Sequence, residues 1–450
     1  MIRKLLILMF IISAIYDSAI AANKYSIADG FLQDGDYEMA NQEYLKILES
    51  KGAVSLSKDI RALTGAFISY YELQKYKRSL SFCKRVLKLR SYNSCAIFYA
   101  GKNLEALGNL EKAKKLDRYY AVLSNSDPYR PFIKARFDFL SKREMVSRIT
   151  EALKTEGRTG KQEFPENTLA ILPFMNDTED ETWDRFSKGF CQLMINDLSH
   201  IKKLKIIDRV ELQVLLDELK FDQDQLMDEN LMPRLGRLLK VKNIVSGAFC
   251  VEYNSKIRID IATIDLNTPD IIEQTNYAGT LENVFKLEKK ILKAVLAEVD
   301  ISISGAEKGT INKMQTKNID AFLAYCDGLD AFDLENYDEA FNHFSLSVKL
   351  DPRFYQAKEM QQTVDAMIII NQGNLALHHF RIIENKSNSS SEGIVTSVSV
   401  LSARLQNISN NLDLSYLPGN DSRKGAGGLN LSNIQLYRVK LPKPPDPPSN

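Results

Sequence analysis

Residues 326–352 read CDGLDAFDLENYDEAFNHFSLSVKLDP, and the spacing within this stretch decides what kind of chain this is. Small and apolar residues recur three and four apart on both sides of a polar break near Asn336, the period of two amphipathic helices joined by a tight turn. A small residue on a first helix, Ala28 and Gly101 elsewhere in the chain, lets the second helix approach closely, and Ala40 or Ala113 does the same from the other side; Gly328 and Ala340 stand at the recurring offsets. Large residues such as Phe31, Tyr37 and Tyr44 fill the seam between such hairpins, and Phe344 and Val348 stand at recurring offsets in this copy. Pro352 ends the second helix because it has no amide hydrogen to donate, and Gln356 to Ile370 reads as a further helix packed behind.

The same punctuation occurs nearer the N-terminus. Gly35, Asp36 and Tyr37 precede Ala40 and Tyr44; Lys75 and Tyr76 precede Ser79 and Cys83; Gly108, Asn109 and Leu110 precede Ala113. Tyr76 and Leu110 are 34 residues apart, while the longer interval from Tyr37 to Tyr76 implies an insertion near Lys51 to Ser57. On these residues the segment 22–150 resembles the tetratricopeptide repeat family in degenerate form, since Phe67 stands where a small residue is expected. Residues 317–372 resemble a clearer copy followed by one helix. The resemblance implies a short solenoid whose concave surface holds an extended peptide or a partner helix. Tyr25, Phe98, Phe322, Tyr325 and Phe332 are the expected groove residues, with packing against a neighbouring repeat or the central domain as the open alternative.

Between 166 and 300 the apolar period changes. Leu169 to Leu172 is a continuous apolar run, as in a strand covered on both faces. A helix carrying Trp183, Phe186, Phe190 and Leu198 follows, then a strand at Leu204 to Ile207 and a helix with Val214 to Leu219. Asn243 to Cys250, Lys256 to Asp265 and Ile271 to Ala278 are three further expected strands, closed by an amphipathic helix from Leu281 to Glu298. The stretches LAILPF at 169–174, IIDR at 206–209, LGRLLKVKNIVSG at 235–247 and RIDIATID at 258–265 resemble the CsgG domain of curli secretion and the related N-terminal domain of TolB-type proteins. That resemblance implies work in the bacterial envelope. A self-contained pore is not expected: crossing an outer membrane takes about 9–11 residues per strand, and the turns Glu252 to Ser255 and Asn267 to Asp270 leave no room for an inserted hairpin. The fold class is thus mixed, with all-α repeat hairpins flanking a central α/β domain.

Arg3 and Lys4 ahead of the apolar run Leu5 to Ile15, then Ala19 and Ala21, form the pattern of a signal peptide over residues 1–21. An uncleaved anchor is the alternative, and no cysteine near the site could carry a lipid. Residues 373–450 are Ser-, Gly- and Pro-rich and are expected to be weakly structured.

With 59 basic and 58 acidic residues the formal net charge is +1, which argues against a phosphate-tracking nucleic-acid binder. The five cysteines are too scattered for a zinc site and read as buried thiols, although Cys83 and Cys95 are close enough for a local disulfide. The four histidines fall in separate elements, and Gly157, Gly160 and Lys161 lack phosphate-loop spacing. Asp208 with Arg209 could hold a ligand, but a helix cap beside an ion pair accounts for them as well. No catalytic, cofactor or metal residues are therefore expected. The sequence reads as a non-enzymatic exported scaffold or assembly factor in the periplasm, with protein partners and peripheral association with the outer membrane. A subunit of an outer-membrane secretion complex is the alternative.

Overall fold

The computed structural model describes residues 24–50, 56–155, 164–219, 231–252, 255–267, 270–373, 375–376 and 379. The expected signal peptide, most of the insertion near Lys51, the glycines at 157 and 160, the centres of the two hairpin turns, His378 and the tail beyond 380 lie outside the described residues. Those described up to Phe137 and from Ala366 onward form one compact unit, and Asp138–Asp365 forms a second. The expected boundaries at 150 and 372 do not coincide with this division. Each falls in or at the end of a long helix whose apolar pattern runs on unbroken while its two ends serve different cores.

The first unit is built from helical hairpins. Helix α1 (24–33) is followed by α2 (Tyr37–Glu49), α3 (Leu56–Glu72), α4 (Tyr76–Leu89), α5 (Ser94–Ala106), α6 (Leu110–Asp117), a 3-10 turn (Arg118–Val122) and α7 (Arg130–Thr155). Gly35 takes φ of +81° in the first turn, a conformation costly for other residues, and the Asp36 side chain then accepts from the Met39 amide to start α2. Asn93 caps α5 in the same way.

Large and small residues are exchanged between the repeats. A Cβ placed on Gly65 would lie 2.1 Å from the Tyr44 ring, so only glycine admits that ring. The second repeat inverts the sizes: Phe67 on α3 is fully buried opposite the small Ser79 and Cys83 of α4. Its carbonyl accepts from the Ser79 hydroxyl at 2.7 Å. This core also takes in Ala366, Leu375 and Ala376 from α15 (Tyr355–Gln372) and the residues after it. The expected start of a weakly structured tail at 373 is corrected to that extent, because Leu375, Ala376 and His379 are buried.

The second unit holds a six-stranded mixed sheet in the order β3-β1-β4-β5-β6, with β2 also on β4. The strands are β1 (Thr168–Ile171), β2 (Met175–Asn176), β3 (Lys205–Ile206), β4 (Asn243–Glu252), β5 (Lys256–Asp265) and β6 (Asp270–Thr280). β1 runs parallel to both β3 and β4, whereas β4, β5 and β6 form an antiparallel meander. Pro173 interrupts β1, and β2 resumes on β4 at Ala248 and Phe249.

The helices of this unit are α8 (Asp184–Leu198), α9 (Arg209–Leu219), α10 (Leu231–Leu239), α11 (Val284–Glu298), α12 (Gly305–Ile311), α13 (Ile319–Asp333) and α14 (Tyr337–Leu350). Leu212, Leu215 and Leu235 join Ala170, Leu172 and Ile244 in one core beside Ile149 of α7. α13 and α14 make the hairpin anticipated from Gly328, whose added Cβ would meet the Phe344 ring at 2.6 Å. Among the described residues no helix is long and apolar enough to cross a membrane.

Candidate partner-binding site

Four of the five expected groove residues are enclosed. Tyr25 is 4 % exposed and Phe98 1 %, the latter within 5.3–5.8 Å of the Tyr99, Tyr129 and Phe132 rings. Phe322 and Tyr325 are 0 % and 4 % exposed because α13 packs on α8. There Phe322 meets Phe186 and Phe285 edge-on, and Tyr325 lies 5.0 Å from Phe354. Their surface is spent on joining the repeat hairpin to the α/β domain. Phe332 is half-buried at the α13–α14 turn beside Tyr337, next to Leu334, which is 80 % exposed.

The α8–α13 seam is bordered by charge. Asp327, Asp330 and Asp333 recur every three residues along α13 and meet Arg185 and Lys188 of α8, at 2.9 Å for Arg185–Asp327 and for Lys188–Asp330. Arg209 is buried and donates to Asp333 at 2.6 and 3.0 Å and to Gln192 at 3.0 Å. Asp208 accepts from the Val210 amide at 2.7 Å. The pair Asp208–Arg209 therefore serves as turn and ion-pair anchor. A second buried group sits where α8 meets α11: Lys289 pairs with Asp197 and lies 3.0 Å from Glu288, whose carboxyl burial holds far above the ordinary range.

In the first unit a group that sequence reading missed gathers on the inner helices of the repeats. Lys102 and Glu105 of α5, Glu72 of α3, Asp117 of α6 and Arg136 of α7 interact within one region. Asp117 occupies the place that holds Tyr44 in the first repeat and Phe344 in the last, four residues after the small Ala113. Its carboxylate and the Arg136 guanidinium fill the hollow beside Gly101, where a Cβ would lie 2.6 Å from Asp117 Oδ1. Arg136 donates to Glu105 and, at 3.3 Å, to Asp117. An acid at an aromatic position was the signal available in the sequence.

Burial dominates the electrostatics of this group. It pushes the Glu72 carboxyl up to about 7, against the pull of Lys102. Asp117 is raised to about 6, burial outweighing the Arg136 cation. Lys102 is lowered, again by burial. Among the described residues, Glu72 Oε1, Tyr99 OH, Asn103 Oδ1, Asp117 Oδ1 and Arg136 Nε are buried without a hydrogen-bond partner, an unusual concentration for one place. Tyr71, beside Glu72, packs on Tyr76, and Tyr76 lines an open cleft of about 510 Å³ with Lys75, Lys77, Arg78 and Leu107. Tyr76 and the exposed cations Lys75, Lys77 and Arg78 thus line an opening large enough for a few residues of a partner.

The five cysteines are free, four of them buried; Cys83 lies by Asn103 and Cys95 by His379. Among the described residues no group of His, Cys, Asp and Glu is placed to hold a metal ion.

No protein-family model matches this chain, and no curated protein matches it. Among solved structures it is similar to the LpoB C-terminal domain from Salmonella enterica, at 13 % identity and a TM-score of 0.21, over 30 % of this chain and 95 % of that one. It is also similar to yeast Tom70, at 14 % identity and a TM-score of 0.25, over 83 % of this chain and 74 % of that one. Both superpositions are too loose to bear on function. The description as helical-hairpin repeats and a mixed sheet rests on the packing itself.

Proposed function

We propose that this chain is a non-enzymatic, exported scaffold of the bacterial envelope that binds protein partners through its helical repeats. The observation that carries the reading is the open cleft on the repeats lined by Lys75, Tyr76, Lys77, Arg78 and Leu107, where three exposed cations surround an aromatic ring. A partner segment presenting carboxylates would meet those cations, each exposed ion pair contributing up to about 1 kcal/mol. The charged start and Ala19 to Ala21 support export. The motifs at 169–174 and 235–247 support kinship of the α/β domain with the CsgG and TolB-type domains, and with it a place in the periplasm.

The test is cross-linking in native envelopes followed by capture of the full chain and of a Lys77→Glu/Tyr76→Ala variant. The scaffold reading expects a discrete set of cross-linked proteins lost from the variant, and a captured chain whose mass begins at Ala22. Identical recovery from both chains would sink it, as would a chain held in the cytosol. The alternative, a subunit of an outer-membrane secretion complex, predicts that the protein stays with outer-membrane fractions through a high-salt wash.

A further inference from the structure

The near-zero net charge conceals a strongly one-sided segment. From Gln74 to Gly101 there are seven basic side chains and no carboxylate. All seven are exposed, and among the described residues none is in an ion pair with a carboxylate. At the C-terminal end of α4 this segment meets the end of α6, because the Tyr92 and Tyr119 rings lie 6.0 Å apart. Both rings are exposed, Tyr92 by 62 %, and the neighbouring Leu89 and Val122 are exposed by 43 % and 67 %. Lys88, Arg90, Lys115 and Arg118, all exposed, flank them.

We infer that this edge of the repeats docks on an anionic phospholipid surface. The inference goes beyond the protein-binding reading and does not depend on it. Tyrosines beside aliphatic side chains, rimmed by Lys and Arg, match the layered chemistry of a bilayer interface, where aromatic rings sit at headgroup level and cations meet lipid phosphates. Nucleic acid would use the cations and could stack on the rings, but it has no use for Leu89 and Val122, which gain from leaving water only in an apolar layer. An acidic peptide would need a groove to hold its backbone, and these side chains sit at helix ends and turns.

The test is flotation of the full chain with protein-free vesicles, one set of phosphatidylcholine and one of phosphatidylcholine with phosphatidylglycerol. Binding is expected to the second set only, and to fall as salt is raised. Replacing Lys88 and Arg90 by Gln should weaken it on the order of thirtyfold, since each cation near an anionic surface is worth about fivefold. Val122→Ser should weaken binding without changing its salt dependence, and its exposure makes a folding defect an unsuitable explanation. Absent or equal binding to the two vesicle sets would overturn the inference, as would variants that bind like the wild type. Retention by a mixed-sequence single-stranded oligonucleotide in preference to vesicles would also overturn it and reassign the surface to nucleic acid.

Discussion

Arg209 at the start of α9 grips the carboxylate of Asp333 at the end of α13 with both terminal nitrogens, at 2.6 and 3.0 Å, while its own side chain is 2 % exposed. A cation so enclosed depends on its partner, because an unpaired buried charge costs far more than a surface pair contributes. Asp333→Ala should lower stability by about 3–5 kcal/mol. Asp327→Asn, which breaks the more exposed pair with Arg185, should stay within about 1 kcal/mol. Urea midpoints of the two variants, with and without added salt, check the contrast.

Gly189 admits α13 to α8. An added Cβ there would lie 2.0 Å from Cys326 Sγ and 3.1 Å from Cys326 Cβ. Gly189→Ala should therefore cost about 1–3 kcal/mol through forced displacement. Cys326→Ala in the same chain should recover most of it by removing the sulfur. Thermal melts that fail to show this rescue would mean that the seam yields elsewhere.

The acid at the third repeat's aromatic position makes a paired prediction. Arg136→Met strands the buried Asp117 and leaves Glu105 with Lys102, and should cost about 3–5 kcal/mol. Adding Asp117→Phe places a ring over Gly101, as Phe344 lies over Gly328, and should restore a large part of the loss. A double-mutant cycle measures the coupling.

Stability should also depend on pH through Glu72 and Asp117. Both carboxyls are raised by folding, so the folded state keeps protons that the unfolded chain has released. Stability from these groups is present at acid pH and is lost as pH rises, from about 4 to 6 for Asp117 and from about 4.5 to 7 for Glu72. Glu72→Gln should remove the upper part of that slope and raise stability at pH 8 by about 1–3 kcal/mol relative to the wild type. Denaturation at pH 5 and pH 8 gives the answer.

Leu375, beyond the last turn of α15, is buried in the core of the N-terminal repeats. Leu375→Ala should cost about 2–4 kcal/mol. Ending the chain after Gly373 should cost more, since it also removes the hydrogen bond between His379 and Tyr129 at 2.5 Å. Helical signal against temperature distinguishes these outcomes from a dispensable tail.

The elements were legible where the signal is local. Gly328, Ala340 and Phe344 specify a hairpin by spacing alone, and the alternation along RIDIATID places β5 from Lys256 to Asp265. β2 escaped because two residues after a proline carry no period, and its partner, β4, is far along the chain. The aromatic choices Tyr25, Phe98, Phe322 and Tyr325 showed why large rings on repeat helices are ambiguous. The same ring suits a groove or a seam, and only packing partners distant in sequence decide which. The Glu72, Lys102, Glu105, Asp117 and Arg136 group shares that difficulty, being spread over four helices. Asp117 alone broke a local rule.

Tyr129 and His379 share a hydrogen bond across 250 residues of sequence. The repeat helices around Tyr129 therefore wait for material that follows 250 residues later in the chain. Until that material is in place the surface around Phe98 and Tyr129 lacks its cover. Chains cut before α15 should accordingly expose that surface wherever they fold, and leave N-terminal repeats that are soluble only in chaperone complexes.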